Sequence, residues 1–287
     1  QCKRDHVKLR GKGRMNAIFV ANKPAGMSSN HFLGRLKRKY GVKKAGFSGT
    51  LDPFASGCLI VAFGSYTKFF RFLDKSPKVY EATIWLGASS PSMDNENITE
   101  ISNVKELNLE KLETIRGELI GKISYIPPKF SAKHVNGTRA YKLARSGEEF
   151  ELKPEIMEIY KSEILNYSHP FLTLRLSVSE GSYIRSYAEI FGQKVCYNVT
   201  LSSLKRVSEG KFRYENEKFL NICNFLNIEQ NTYFGDINNI LDGKKLKIND
   251  FETQTQGIYL LNYDKFMSVI QIMDDTINYT LNKVEKC

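Results

Sequence analysis

Residues 46–57 read Gly-Phe-Ser-Gly-Thr-Leu-Asp-Pro-Phe-Ala-Ser-Gly and set one carboxylate, Asp52, among residues suited to tight backbone packing. Gly46, Gly49 and Gly57 permit turns or close approaches that a side chain would block. Pro53 fixes its own φ and biases Asp52 away from helix. The apolar run that follows, residues 58–63, reads as a buried strand. An acid on a stiff loop beside a buried strand is a way to present a nucleophile. Asp-Pro is equally a common turn whose carboxylate accepts local hydrogen bonds, so the case for chemistry has to come from the surroundings.

Other chemistries fit poorly. His6, His31, His134 and His169 are scattered without metal-ligand spacing. No nucleophile-elbow turn supports a Ser-His-Asp triad, and no phosphate-binding glycine loop occurs. What remains is one aspartate, nearby tyrosines, isolated arginines and a cationic surface, a set that suits a carboxylate nucleophile acting on RNA. The 287 residues carry a formal charge of +11. Residues 1–14 hold six of the basic residues against Asp5, so the rest carries +6; this fits a polyanionic partner, though many proteins carry as much. The five cysteines are odd in number and lack zinc-knuckle spacing, which suits reduced thiols in a cytoplasm. Apolar residues make up 41 %, enough for a real core, and no apolar run approaches the ~18 residues of a membrane helix. Met15 followed by Asn-Ala-Ile-Phe-Val reads as a natural start, and residues 1–14 as an added extension.

The elements that must position Asp52 follow from periodicity. A short strand at 17–20 leads into Lys23-Pro24-Ala25-Gly26. Ser28 or Ser29 caps a helix with Phe32, Leu33, Leu36 and Tyr40 on one face and Arg35, Lys37, Arg38 and Lys39 elsewhere around it. After the strand at 58–63, a helix is predicted to Phe72, then a strand at 78–87 with Tyr80, Ala82, Ile84 and Leu86 on its apolar side. Residues 88–107 are polar and turn-rich, and a helix is predicted over 109–119. Residues 122–147 contain six Lys and Arg, no acid, and interleaved Tyr125, Phe130, His134 and Tyr141. Such a cationic, aromatic insertion is either a grip for RNA loops or a solvated loop. Strands at 155–165 and 171–179 follow. Gly181 breaks the second, Ser182 caps a helix carrying Arg185, and a strand runs over 199–207. Mixed elements with antiparallel neighbours argue for α+β rather than a doubly wound sheet. Beyond residue 230, short apolar runs at 257–261 and 266–272 suit a small β-rich module.

Several ordered motifs together resemble the TruB-type tRNA pseudouridine synthases. They are Asn22-Lys23-Pro24-Ala25-Gly26-Met27-Ser28-Ser29, the Gly49–57 segment around Asp52, Lys78-Val79-Tyr80, Pro127-Pro128-Lys129-Phe130-Ser131-Ala132 through Arg139-Ala140-Tyr141, Gly181-Ser182-Tyr183-Ile184-Arg185-Ser186, and Leu204-Lys205-Arg206. The resemblance spans residues 15–212. It implies conversion of a uridine to pseudouridine in the T-loop of tRNA, at position 55, with no cofactor and no metal. It assigns Asp52 as nucleophile, Arg185 as its ion-pair partner, and Tyr80 as a stacking residue whose hydroxyl assists proton transfer at C5. Leu204 is a wall of the base pocket, and Lys23, Lys133, Arg139 and Tyr141 contact substrate. Many members carry histidine where this chain has Phe47, so that position is expected to work by filling space. The target base must be flipped out of its loop, at a cost of a few kcal/mol.

The expected architecture is therefore a pseudouridine synthase fold of α+β class, with a mixed, mostly antiparallel sheet flanked by helices. The catalytic domain is expected over 15–230 with an RNA-gripping insertion at 122–150, and residues 231–287 stand where relatives carry a PUA-type RNA-binding domain that they match poorly. The expected partner is the tRNA T stem-loop, met by a cytoplasmic monomer with no obligatory protein partner and no membrane. The competing readings are a non-catalytic RNA-binding or RNA-folding protein and a pseudouridine synthase acting on a different RNA. A guide-RNA-dependent relative is disfavoured by the short C-terminal module.

Overall fold

Strand β4 (Lys78–Leu86) carries the pattern that organises the molecule. Tyr80, Ala82, Ile84 and Leu86 are buried, while Val79, Glu81, Thr83 and Trp85 are only partly covered. Period-two alternation of this kind turns one strand face to a core. In the computed structural model, which describes residues 15–131 and 133–286, β4 lies inside a nine-stranded mixed sheet. The extension expected at residues 1–14, and Ala132 of the insertion motif, lie outside the described residues.

On one side β4 pairs antiparallel with Phe171–Val178, which pairs with Glu155–Ser168, which pairs with Gly121–Tyr125 at the edge. On the other it pairs antiparallel with Val199–Glu209. That strand then meets β3 (Ser56–Phe63) in parallel, through Lys205↔Ser56 and Arg206↔Gly57. Beyond it, β3 pairs antiparallel with β1 (Ala17–Lys23) and with the short β2 (Ala45–Ser48). The parallel step joins the two parts of the sheet, and the Asp52 loop, between β2 and β3, opens onto it.

Both faces of β3 are covered, which explains its unbroken apolar run. Cys58, Ile60 and Ala62 pack in one cluster, and Leu59, Val61 and Phe63 in another with Leu36 of α1 (Ser29–Tyr40). Ser28 caps α1 by accepting from the His31 amide, and Gly41, at φ 65°, ends it. Helices α2 (Leu109–Glu118) and α4 (Ile184–Val195) cover the apolar face of β4 through Leu112, Ile115, Tyr187 and Phe191.

Three elements differ from the sequence reading. The segment Gly64–Phe72 is a 3-10 helix rather than an α-helix. The N-cap of α4 is Tyr183, with no side-chain cap bond, because Ser182 turns its hydroxyl to Ser179 at 3.0 Å. The sheet also runs to Tyr125, so the irregular part of the insertion begins after it. That part holds a tiny hairpin turned by Asn136-Gly137 and the short helix α3 (Ala140–Ser146).

The C-terminal sheet comprises Glu229–Gln230, Gly257–Asn262, Phe266–Met273 and Thr276–Glu285. Its Leu260, Met267, Val269, Leu281 and Val284 share one cluster with Ile18 and Val20 of β1, Ile60 of β3 and Phe69 of the 3-10 helix. Among the described residues no helix is long and apolar enough to cross a membrane.

Candidate active site

The Asp52 loop is held by backbone on both sides of the acid. Before it, the Leu51 amide donates to Ser29 Oγ at 3.0 Å, and the Ser29 hydroxyl is 2.9 Å from the Leu51 carbonyl. After it, the Pro53 carbonyl accepts from the Gly26 amide at 2.8 Å and from Lys23 Nζ at 3.3 Å. Lys23 also donates to the carbonyls of Pro24 (2.9 Å) and Met27 (2.6 Å). Its side chain is fully buried, and burial pushes its ammonium down to about 8, against the pull of Asp52 and Glu96. Expected to contact substrate, Lys23 instead lies with its ammonium on three carbonyls and outside both cleft linings, where it braces the loop.

Two glycines are required where the loop meets the sheet. Gly57 has φ 105°, and a Cβ there would lie 2.2 Å from the Arg206 carbonyl across the parallel seam. Gly49 has φ 69°, and a Cβ there would stand 3.0 Å from Glu209 Oε2. Backbone contact as well as φ excludes a side chain at Gly57, while at Gly49 the positive φ disfavours one and the Glu209 carboxylate crowds it.

Arg185 comes from the second residue of α4, far away in sequence, and reaches Asp52 with Nη2 2.9 Å from Oδ2. The guanidinium is 2 % exposed, whereas the carboxylate remains 31 % exposed. Arg185 is aimed by two carbonyls, Ser92 at 2.9 Å and Phe130 at 2.8 Å, and Asp94 Oδ2 lies 3.9 Å from its Nη1. Burial raises the Asp52 carboxyl above its ordinary range; Arg185 pulls it back, Asp94 adds to the rise, and Lys23 opposes it. An acid that is desolvated yet paired, and open on one side, combines nucleophilic reactivity with a defined direction of attack.

Two clefts meet at this pair, and both are lined by Thr50, Leu51, Asp52 and Arg185. The smaller, about 290 Å³, adds Lys78, Tyr80, Lys133, Tyr183, Leu204 and Arg206. This is the low end of small-ligand sites and suits one nucleoside with stacking walls. The larger, about 620 Å³, adds Phe47, Ser92, Asp94, Phe130, Arg139, Tyr141 and Arg145. The sequence-predicted residues therefore divide. Asp52 and Arg185 stand at the junction, Tyr80, Leu204 and Lys133 line the small cleft, and Phe47, Arg139 and Tyr141 line the large one. Lys133 is paired with Glu155 at 2.7 Å. Arg145 lies over the Tyr141 ring at 5.8 Å.

Sequence reasoning missed three parts of the site. Ser92 and Asp94 belong to the turn-rich stretch after β4, where nothing in spacing sets them apart, yet both are buried beside Arg185, with Ser92 Oγ donating to Asp94 Oδ1 at 2.6 Å. Tyr183, the N-cap of α4, lines the small cleft, where burial pushes its phenol up against the pull of Ser131 and Lys133. The third part is a buried charge cluster of Lys78, Arg206 and Glu209 behind Tyr80. The Lys-x-Tyr and Leu-x-Arg motifs held two of its members, but Glu209 lay beyond the predicted strand end.

The family model for the N-terminal domain of TruB family pseudouridylate synthases matches residues 37–184, which contain both Asp52 and Tyr80. A Campylobacter concisus (strain 13826) protein called tRNA pseudouridine synthase B is 98 % identical over 273 residues, 95 % of this chain and 100 % of the relative. A Campylobacter curvus (strain 525.92) protein with the same name is 70 % identical over the same shares. Among solved structures, a Cbf5–Nop10–Gar1 complex superposes with a TM-score of 0.63 at 17 % identity, over 94 % of this chain and 84 % of that one, a likeness of fold. With a paired aspartate at the meeting of two clefts, a synthase fold and relatives this similar along 95 % of its length, the chain belongs to the TruB family of pseudouridylate synthases.

Proposed function

We propose that this protein isomerises a uridine of tRNA to pseudouridine, at position 55 in the T-loop, with Asp52 as the nucleophile. The observation that carries the reading is the Asp52–Arg185 pair at 2.9 Å, with the guanidinium buried and the acid open to both clefts. In the reaction the N1–C1′ bond breaks and a C5–C1′ bond forms. The proton leaves C5 and N1 ends protonated, so atoms and electrons balance without an oxidant or reductant. Asp52 supplies the transient covalent bond to the substrate, and Arg185 keeps it anionic in a site that excludes water. Tyr80 stacks on the flipped base with its hydroxyl near C5, and Leu204 closes the opposite side. Phe47 fills space in the large cleft, while Lys133, Arg139 and Tyr141 hold the RNA. Lys23 contributes through the loop rather than by touching the substrate. The enzyme acts on the T stem-loop as a cytoplasmic monomer without a protein partner.

The test is to incubate the purified chain alone with an unmodified tRNA transcript and map pseudouridine by sequence position. The expected product is confined to the T-loop and vanishes with Asp52→Asn, whose Kd for tRNA stays within about threefold. Product outside the T-loop would reassign the substrate. Binding with no product from the parent would leave a non-catalytic RNA-binding protein.

A further inference from the structure

Behind the small cleft lies a charge cluster that the proposed chemistry does not use. Glu209, near the end of the Val199–Glu209 strand, is completely buried. Its Oε1 is 2.8 Å from Arg206 Nη2, and its Oε2 is 3.3 Å from Lys78 Nζ. By distance both are ion pairs, although neither oxygen receives a well-aligned hydrogen bond among the described residues. Arg206 is 1 % exposed and donates to the main chain, Nε to the Cys58 carbonyl at 2.8 Å and the same Nη2 to the Gly49 carbonyl at 2.7 Å. Tyr80 lines the same small cleft as Arg206. Strand register fixes these neighbours, because Arg206 lies opposite Tyr80 and Glu209 opposite Lys78.

We infer that Glu209 is a positioning residue for the isomerisation: it anchors the Arg206 guanidinium that clamps the Gly49 end of the Asp52 loop. The inference rests on the function proposed above. Its physical basis is the imbalance that loss of the carboxylate would leave. Two cations would face the cleft floor without a counter-charge in a desolvated place, where an unpaired charge is driven toward solvent or another partner. Arg206 lines the small cleft, which gives it a way toward solvent. Turning that way breaks its bond to Gly49 and moves its charge beneath the reacting base. Glu209 lines neither cleft itself and meets the small one only through Lys78 and Arg206, so its removal leaves Lys133, Arg139 and Tyr141 untouched. A fault in aim lowers turnover, whereas a fault in grip raises KM.

The experiment compares the parent, Glu209→Gln and Glu209→Asp by steady-state kinetics on an unmodified tRNA transcript, with thermal melting and Asp52→Asn as the inactive control. Glu209→Gln keeps the shape and removes the charge; Glu209→Asp keeps the charge but cannot span both cations. The expected result is a kcat at least tenfold lower for Glu209→Gln, KM within twofold of the parent, and Glu209→Asp between the two. A kcat within twofold of the parent in folded Glu209→Gln overturns the inference. So does a kcat loss matched by an equal loss of folded protein. If Glu209→Gln does not fold, the kcat and KM of Glu209→Asp decide by the same criteria. Absence of product from the parent itself would strike the function rather than the role of Glu209.

Discussion

Two buried arginines, Arg185 and Arg206, reach the Asp52 loop from opposite sides, and each is paired with a carboxylate. Arg185 leaves its acid about one third open to the clefts; its hydrogen bonds otherwise go to carbonyls of two irregular segments, at Ser92 and Phe130, with the Asp94 carboxylate 3.9 Å away. Arg206 faces an acid with no exposure at all, and its contacts are carbonyls of β3 and of the loop that precedes it. The chemistry of the pairs is the same; their surroundings are not. One ends on a helix, where a carboxylate can still meet a substrate. The other is enclosed by a sheet seam, where a carboxylate can only hold. A buried ion pair is weak evidence of stability in itself, so exposure of the acid is what separates a reacting pair from a supporting one.

The difference can be broken most severely at Arg185. Arg185→Gln should lower kcat by about 10²–10³-fold, the range for deleting one preorganised charged donor. It should also change the pH profile. In its proposed role Asp52 attacks as the anion, and burial already holds its carboxyl above the ordinary range while Arg185 pulls it down. Without the guanidinium the pKa rises further, so the acid limb of kcat/KM moves to higher pH. A limb that stays in place would mean that Arg185 does not govern the charge of Asp52. Next in size is Gly57→Ala, which forces a methyl to within 2.2 Å of the Arg206 carbonyl. A stability loss of about 2–4 kcal/mol in urea unfolding is expected, since the seam must part to admit it. A loss below about 0.5 kcal/mol would show that the seam yields.

Lys23→Met sharpens the contrast by removing a third buried cation, one braced by carbonyls alone. Stability should fall by about 1–3 kcal/mol, the cost of leaving buried acceptors unmet. KM should stay within twofold; a large rise in KM would return Lys23 to the substrate side. The smallest effect is expected at Phe47, half-buried in the large cleft. Phe47→Ala should raise KM roughly tenfold, by loss of stacking area worth about 1–2 kcal/mol, and Phe47→His should change it less than about threefold. An alanine variant indistinguishable from the parent would remove the space-filling role.

Much of this was legible in the chain. Alternation along β4 and the apolar run of β3 announced their burial. Ser28 and the spacing of Phe32, Leu33 and Leu36 set out α1, and glycine, proline and a lone acid marked the loop. Legibility failed where a residue's role depends on a partner far away in sequence. Lys23 looks like any surface lysine until three carbonyls converge on it. Asp94 lies among polar turn residues and owes its burial to Arg185, and Glu209 owes its own to register with Lys78. Short elements fared no better: the four residues of β2 give no period to count, and Ser182 could not be told from a cap without knowing that Ser179 claims its hydroxyl.

The C-terminal sheet lends Leu260, Met267, Val269, Leu281 and Val284 to the underside of β1 and of β3, the strand into which the Asp52 loop runs. A gene cut short before residue 229 would therefore encode more than an enzyme missing an appendage. It would strip the greasy lining from the floor of the reaction chamber, and the stump would tend to clump. Lost RNA modification in such a deletion would report a collapsed foundation, not a severed handhold on the nucleic acid.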